Sequence, residues 1–152
     1  LKGKIKGGIN TLQRKEAKMA KEALKLKGEY DRIWTYKRAR WMLASMYRSG
    51  VIFDHFARSM DNAYRNAPIP KKVRRLGQEA EDMYRDSLDQ LMRQRVDPIF
   101  TKAKGLYAAC VTKARDLGVS NKYTEDALIK LNGIDPENYP LLKRAKVETT
   151  LQ

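Results

Sequence analysis

The sequence is poor in the residues from which catalytic and metal sites are usually built. Among 152 residues, Cys110 is the only cysteine and His55 the only histidine. A single cysteine excludes an internal disulfide framework and a zinc site built from several cysteines, and a single histidine excludes a multi-histidine metal site. The glycines near the N-terminus have neither the P-loop nor the dinucleotide-binding spacing. We therefore expect a non-catalytic protein with no metal ion and no cofactor.

Long apolar runs are also missing. A membrane-spanning helix needs about 20 consecutive apolar residues, and no run here approaches that length. With 42% hydrophobic and 33% charged residues, the chain can still form a core. The composition predicts one folded domain without a transmembrane segment.

Positive charge is abundant and unevenly distributed. Residues 1–75 contain 20 Lys and Arg against 6 Asp and Glu, whereas residues 76–152 contain 12 of each, so the whole net charge of +14 comes from the first half. Such asymmetry is typical of a surface that binds an acidic protein, a nucleic acid or an anionic envelope surface. A solvated basic face that only keeps the protein soluble is the alternative.

The apolar spacing predicts an all-α protein, because residues recur at three- and four-residue intervals and no comparable strand pattern is present. Residues 1–9 combine three lysines with three glycines, and we expect a flexible basic tail or linker there. After this tail, we expect one helical-repeat domain over residues 10–149. Its predicted helices cover approximately residues 10–27, 31–49, 52–63, 80–95, 99–117, 121–131 and 141–147.

Glycine and proline predict the connections between these helices. Gly50 is expected to end a helix, so that the helices on either side form an antiparallel pair, and Gly118 is expected to end another before Asn121 caps the next. The prolines at 68 and 70 predict an internal break near residues 66–71. Asp97-Pro98 predicts either the start of a new helix or a kink within one long helix.

The order of small, aromatic and proline residues resembles tetratricopeptide-repeat (TPR) proteins. Trp34, Ala44, Tyr47 and Gly50 resemble the first helix of such a repeat. The later part resembles the C-terminal region of TPR-containing envelope proteins of gliding and related deltaproteobacteria. The residues that carry this second resemblance are Ala67 to Pro70, Tyr84, Leu88, Pro98, Ala103, Tyr107, Cys110, Ala114, Gly118, Asn121, Leu131, Asp135-Pro136 and Tyr139-Pro140.

The resemblance implies a fold and a role. The fold would be a short TPR-like solenoid of stacked antiparallel helix hairpins. The role would be a protein–protein interaction scaffold in a larger assembly, of a cell-envelope or gliding-motility kind, in the bacterial periplasm, with the cytoplasm as the alternative. The strongly basic first half is not a feature that the resemblance demands.

The segment from Arg32 to Trp41 is the sharpest functional candidate, because it interleaves cations with Trp34, Tyr36 and Trp41. Cations can neutralise an anionic partner, and aromatic rings can stack on nucleic-acid bases. The two tryptophans are seven residues apart, however, and could both belong to the core. The predicted partner-binding residues are Lys37, Arg38, Arg40 and Arg48, with a second patch at Lys71, Lys72, Arg74 and Arg75.

We expect these cations to hold an acidic protein partner, with nucleic-acid binding as the alternative function. The other chemically capable residues have simpler interpretations. The acidic residues between Glu79 and Asp89 are predicted to form a solvated helix face, His55 a surface or partly packed side chain, and Cys110 a buried structural residue.

Overall fold

Six helical segments make up the structure, a computed structural model that describes the backbone of residues 2–141 and the side chains of residues 9–141. They are α1 (Lys2–Arg32), a 3-10 turn (Ile33–Tyr36), α2 (Ala39–Arg65), α3 (Lys71–Arg74), α4 (Gln78–Asp116) and α5 (Lys122–Ile134). No strand occurs between residues 2 and 141, which confirms the all-α prediction. Within the same residues, no helix is both long and apolar enough to cross a membrane.

Helices α2 and α4 form the central antiparallel pair. The Cys110 thiol, near the end of α4, donates a hydrogen bond to the Leu43 carbonyl near the start of α2 (3.4 Å). Further along, the Lys102 ammonium lies 4.3 Å from the centre of the Phe53 ring. As the residue number rises along α2, the number of the facing residue in α4 falls, so the two helices run in opposite directions.

The outer helices pack on this pair from different sides. Helix α1 runs antiparallel to α2, and Glu16 on α1 accepts hydrogen bonds from Tyr64 on α2 and Arg95 on α4. Helix α5 packs on both α4 and α2, and its Lys130 lies 3.4 Å from the buried carboxylate of Asp54. The core between the helices is mainly apolar, and its most deeply buried large side chains include Tyr84, Tyr107, Leu43, Met60, Leu131 and Val96.

Gly50 does not end a helix, so that prediction was wrong. Helix α2, which is 27 residues long, continues through Gly50 without a break. Gly50 is buried because the Tyr107 ring of α4 packs on its backbone, and an added Cβ would lie only 2.6 Å from Tyr107 Cε1. The glycine permits close packing of two helices rather than a turn.

A substitution pair tests this role of Gly50. Alanine in a helix interior is normally more stable than glycine by about 0.5–1 kcal/mol. At Gly50 the methyl group would overpack the core, so we expect Gly50→Ala to lower the free energy of unfolding by about 1–3 kcal/mol. Gly105→Ala, within α4 and with open space around the added Cβ, should raise it by about 0.5–1 kcal/mol. Urea unfolding followed by circular dichroism measures both changes, and an equal response at the two sites would contradict the packing role.

The predicted ends of the first helix were also wrong. Helix α1 is helical from Lys2, within the predicted tail, and it passes Gly28 to end at Arg32. Each glycine lowers the stability of a helix by only about 1 kcal/mol. Every residue added to an existing helix forms a new hydrogen bond, so the helix can extend through these glycines. The last turn is further supported by the ion pairs Lys27–Asp31 and Arg32–Glu29.

Helix α4 settles the alternatives at Asp97-Pro98. It is one helix of 39 residues that contains Pro98 in its interior. The hairpin turn expected at Gly50 is therefore absent and no new helix begins at Asp97, so long antiparallel helices replace the predicted short ones. The predicted helix over 141–147 lies outside the described residues, apart from residue 141.

Three predicted connections are confirmed. The chain leaves α2 at Asn66 and enters α3 after Pro70, at the predicted break. Helix α4 ends where expected, because Gly118 adopts a positive φ of 61° and Val119 N–H donates to the Ala114 carbonyl (3.0 Å). Asn121 then caps α5 in a reciprocal capping box with Thr124.

Candidate partner-binding surface

The segment from Arg32 to Trp41 forms the tight connection between α1 and α2, and we call it the basic-aromatic turn. The 3-10 turn ends at Tyr36, and the next residue, Lys37, adopts a positive φ of 49° while its N–H donates to the Trp34 carbonyl (3.2 Å). Arg38 is extended and begins α2, since its carbonyl accepts the first helical hydrogen bonds. This local geometry brings aromatic and basic side chains to one end of the molecule.

The aromatic side chains of the turn are exposed. Trp34, Tyr36 and Trp41 retain 41%, 72% and 55% of their accessible surface. The alternative in which both tryptophans belong to the core is therefore wrong. Large exposed aromatic side chains grouped in one segment are typical of an interaction site.

A hydrogen-bond relay fixes the orientation of Trp34. Its indole Nε1–H donates to Ser45 Oγ (3.2 Å), and the Ser45 hydroxyl donates to the Tyr30 carbonyl (2.7 Å). Ser45 is almost completely buried. The Nε1 edge of the indole is thus held in place although the side chain is partly in solvent.

Three of the cations in the turn have no acidic partner among the described side chains, whereas Arg32 pairs with Glu29. Lys37, Arg38 and Arg40 are exposed, and none of them forms an ion pair within residues 9–141. They lie beside the N-terminus of α2, whose first turn carries no acidic residue and no side-chain cap. Because the helix dipole is positive at that end, these cations oppose it and favour a bound anion.

Arg48 and the second basic patch are placed differently. Arg48 is exposed on α2, seven residues after Trp41 and so on the same side of the helix. Lys71, Lys72, Arg74 and Arg75 are also exposed, but they follow the opposite end of α2. A 27-residue helix is roughly 40 Å long, so the structure does not bring the two predicted basic patches together.

The sequence analysis missed a row of cations on α1. Arg14, Lys18, Lys21 and Lys25 are exposed and are spaced by four, three and four residues, which places them along one helix face. That face is opposite the side that buries Leu12 and Ala23. None of the four forms an ion pair within residues 9–141. Their spacing is visible in the sequence and could have identified the row.

The remaining polar candidates form no chemical site in the described part of the chain. His55 is exposed on α2, and the acidic residues at the start of α4 are mostly exposed, with Asp82 accepting a hydrogen bond from Gln78. Residues 9–141 contain no group of three or more potential metal ligands.

Cys110 is buried, as predicted, and its environment suppresses the thiolate. Burial raises the pKa of the Cys110 thiol to about 11, and a hydrogen bond with the backbone of Tyr47 offsets only part of this effect. A thiol that remains protonated is a poor nucleophile and metal ligand. The side chain therefore contributes to packing between α2 and α4.

The raised pKa of Cys110 predicts a pH dependence of stability. In the unfolded chain this thiol ionises near pH 9.0, so above that pH the unfolded state loses its proton first and becomes relatively more stable. The free energy of unfolding should be retained below about pH 9 and fall by about 2 kcal/mol as the pH approaches 11. Urea unfolding at pH 7.5 and 10.5 measures the fall, and Cys110→Ala should show a smaller one. An identical fall in that variant would contradict the assignment.

Comparison of the chain with protein-family models, with curated proteins and with solved structures gives no significant match. The case for a function therefore depends on the residues and their arrangement.

Proposed function

We propose that this protein is a non-catalytic scaffold module that binds an acidic segment of a partner protein on its basic-aromatic turn. The observation that carries the proposal is the grouping of three exposed aromatic side chains with Lys37, Arg38 and Arg40, which form no ion pair with any side chain of residues 9–141. Folding alone does not account for these features, because the aromatic rings leave much of their surface in water and the cations oppose the dipole of α2.

The chemistry of the turn suits a protein partner. Interfaces between proteins are enriched in Trp, Tyr and Arg, and these residues supply most of the binding energy when they become buried. The cations would accelerate encounter with an acidic segment and select against basic ones. Trp41 and Arg48 on the same side of α2 would extend the contact along the helix.

We place this module in a larger assembly of the cell envelope. The support for that assembly is the resemblance of the sequence to envelope repeat proteins. The binding surface itself does not need a TPR-like solenoid. It lies at the connection between two long helices rather than in a groove between stacked hairpins.

Nucleic-acid binding is the second candidate function, and the exposure of Trp34 and Trp41 favours it. Exposed aromatic rings next to cations can stack on the bases of a single strand while the cations contact phosphates. The row of cations on α1 would lengthen the path available to a polyanion.

Affinity capture separates the two candidates. The immobilised protein is exposed to extracts of the native cells with and without nuclease, and bound proteins are identified by mass spectrometry. The proposal predicts that acidic proteins remain bound after nuclease treatment and are displaced by raised salt. Loss of all specific binding after nuclease would overturn it in favour of nucleic acid.

A further inference from the structure

An open cleft lies beside the basic-aromatic turn, where the end of α1, the turn, α2 and α4 meet. It has a volume of about 430 Å³. Its lining is formed by Lys27, Asp31, Trp34, Met46, Ser49 and Leu106. The Trp34 indole is therefore at once part of the exposed turn and one wall of this cleft.

The lining is mainly apolar. Trp34, Met46 and Leu106 provide the apolar surface, while the charged residues of the described lining, Lys27 and Asp31, form an ion pair with each other. A polar group that entered the cleft would lose water and find few free partners, which is unfavourable. An apolar group would make the free energy of binding more favourable in proportion to the apolar area that it buries.

The size of the cleft suits a single large side chain. A cavity of roughly 150 Å³ already holds a benzene molecule, so 430 Å³ accommodates an aromatic or branched side chain with part of its backbone. A nucleobase of similar size fits less well, because the hydrogen-bonding groups on its edge would remain unpaired against Met46 and Leu106.

We propose that this cleft accepts one large apolar side chain, such as Phe or Leu, from the acidic partner segment whose carboxylates contact Lys37, Arg38 and Arg40. The inference rests on the proposed function and specifies its partner further, as an acidic segment with an apolar anchor. Charge complementarity argues for this occupant, because the three cations lie within six residues of Trp34, which forms one wall of the cleft. A buried anchor surrounded by polar contacts is the usual arrangement of a binding hot spot.

The hydrogen bonds to Trp34 prepare the cleft for binding. Because Ser45 and the Tyr30 carbonyl hold the indole before any partner arrives, little conformational entropy is lost at this wall on binding. Ser45 is thus a positioning residue for the cleft.

The test compares two acidic peptides of about 13 residues with identical charge, one with a central Phe and the other with Ala at that position. Isothermal titration calorimetry with the full chain should show that the Phe peptide binds roughly tenfold tighter, which corresponds to about 1.4 kcal/mol. Leu106→Trp, which fills the cleft, should remove this preference and leave the weaker, salt-dependent binding of both peptides. Ala109→Trp adds the same side chain at an exposed position of α4 outside the cleft and should keep the preference.

The outcomes separate this inference from the proposed function. Equal, salt-dependent binding of the two peptides by the unmodified protein would overturn the anchor and leave the acidic partner in place. Absence of binding by both peptides at low salt would overturn both. A 15-nucleotide single strand that binds more tightly than either peptide, and is excluded by Leu106→Trp, would assign the cleft to a base instead.

Discussion

Replacement of Lys37, Arg38 and Arg40 by glutamate is expected to reduce capture of the acidic partner by roughly tenfold or more. The three cations are exposed and unpaired, so the substitutions break no ion pair within the described chain. Acidic side chains beside the start of α2 even improve the interaction with its dipole. Helicity measured by circular dichroism should therefore be unchanged while the partner is lost.

The second basic patch supplies a matched control. Lys71→Glu, Lys72→Glu and Arg74→Glu together change the net charge by the same amount, but they lie at the other end of α2. At 0.1 M salt charges act over about 10 Å, so this variant should retain most of the binding. Equal losses in the two variants would show that net charge rather than the basic-aromatic turn holds the partner.

Tyr107→Ala should have the largest effect on stability. The Tyr107 side chain is fully buried, packs on Gly50 and lies 5.9 Å from the Tyr47 ring between centroids. Truncation of a buried aromatic residue leaves a cavity and typically costs about 3–5 kcal/mol. Urea unfolding should show this decrease in the free energy of unfolding, with most of the helix content retained in the absence of denaturant.

Tyr107→Phe distinguishes the ring from its hydroxyl. The Tyr107 hydroxyl is buried and has no hydrogen-bond partner within residues 9–141, and burial raises the pKa of this phenol well above its ordinary value. Because an unpaired buried hydroxyl contributes nothing favourable, its removal should leave stability unchanged or increase it. A loss as large as that of Tyr107→Ala would contradict the role assigned to the ring.

The sequence predicts the helical class well and the helix boundaries unevenly. Gly118 and Asn121 were identified because their roles are local: a positive φ after α4 and a side-chain cap before α5. Gly50 was misassigned because nothing in its neighbours along the chain distinguishes a helix stop from a close contact. Only the position of Tyr107, 57 residues later, makes the difference.

The candidate surface was located from the sequence, but the exposure of its two tryptophans was not predicted. A seven-residue interval places Trp34 and Trp41 on one face only if a continuous helix joins them. The chain instead forms a 3-10 turn and a left-handed residue at Lys37 between them, so the helical spacing does not apply. The cleft could not be predicted either, because Leu106 lines it together with Trp34 only through the packing of α4.

The uninterrupted course of α2 through Gly50 has a mechanical consequence. A hinge at that position would let the two ends of the helix change their separation, whereas a continuous helix packed along α4 keeps it constant. The basic-aromatic turn and the cations of α3 stand at these two ends. Two anionic bodies bound there would be spaced roughly 40 Å apart, with α2 acting as a strut of fixed length between them.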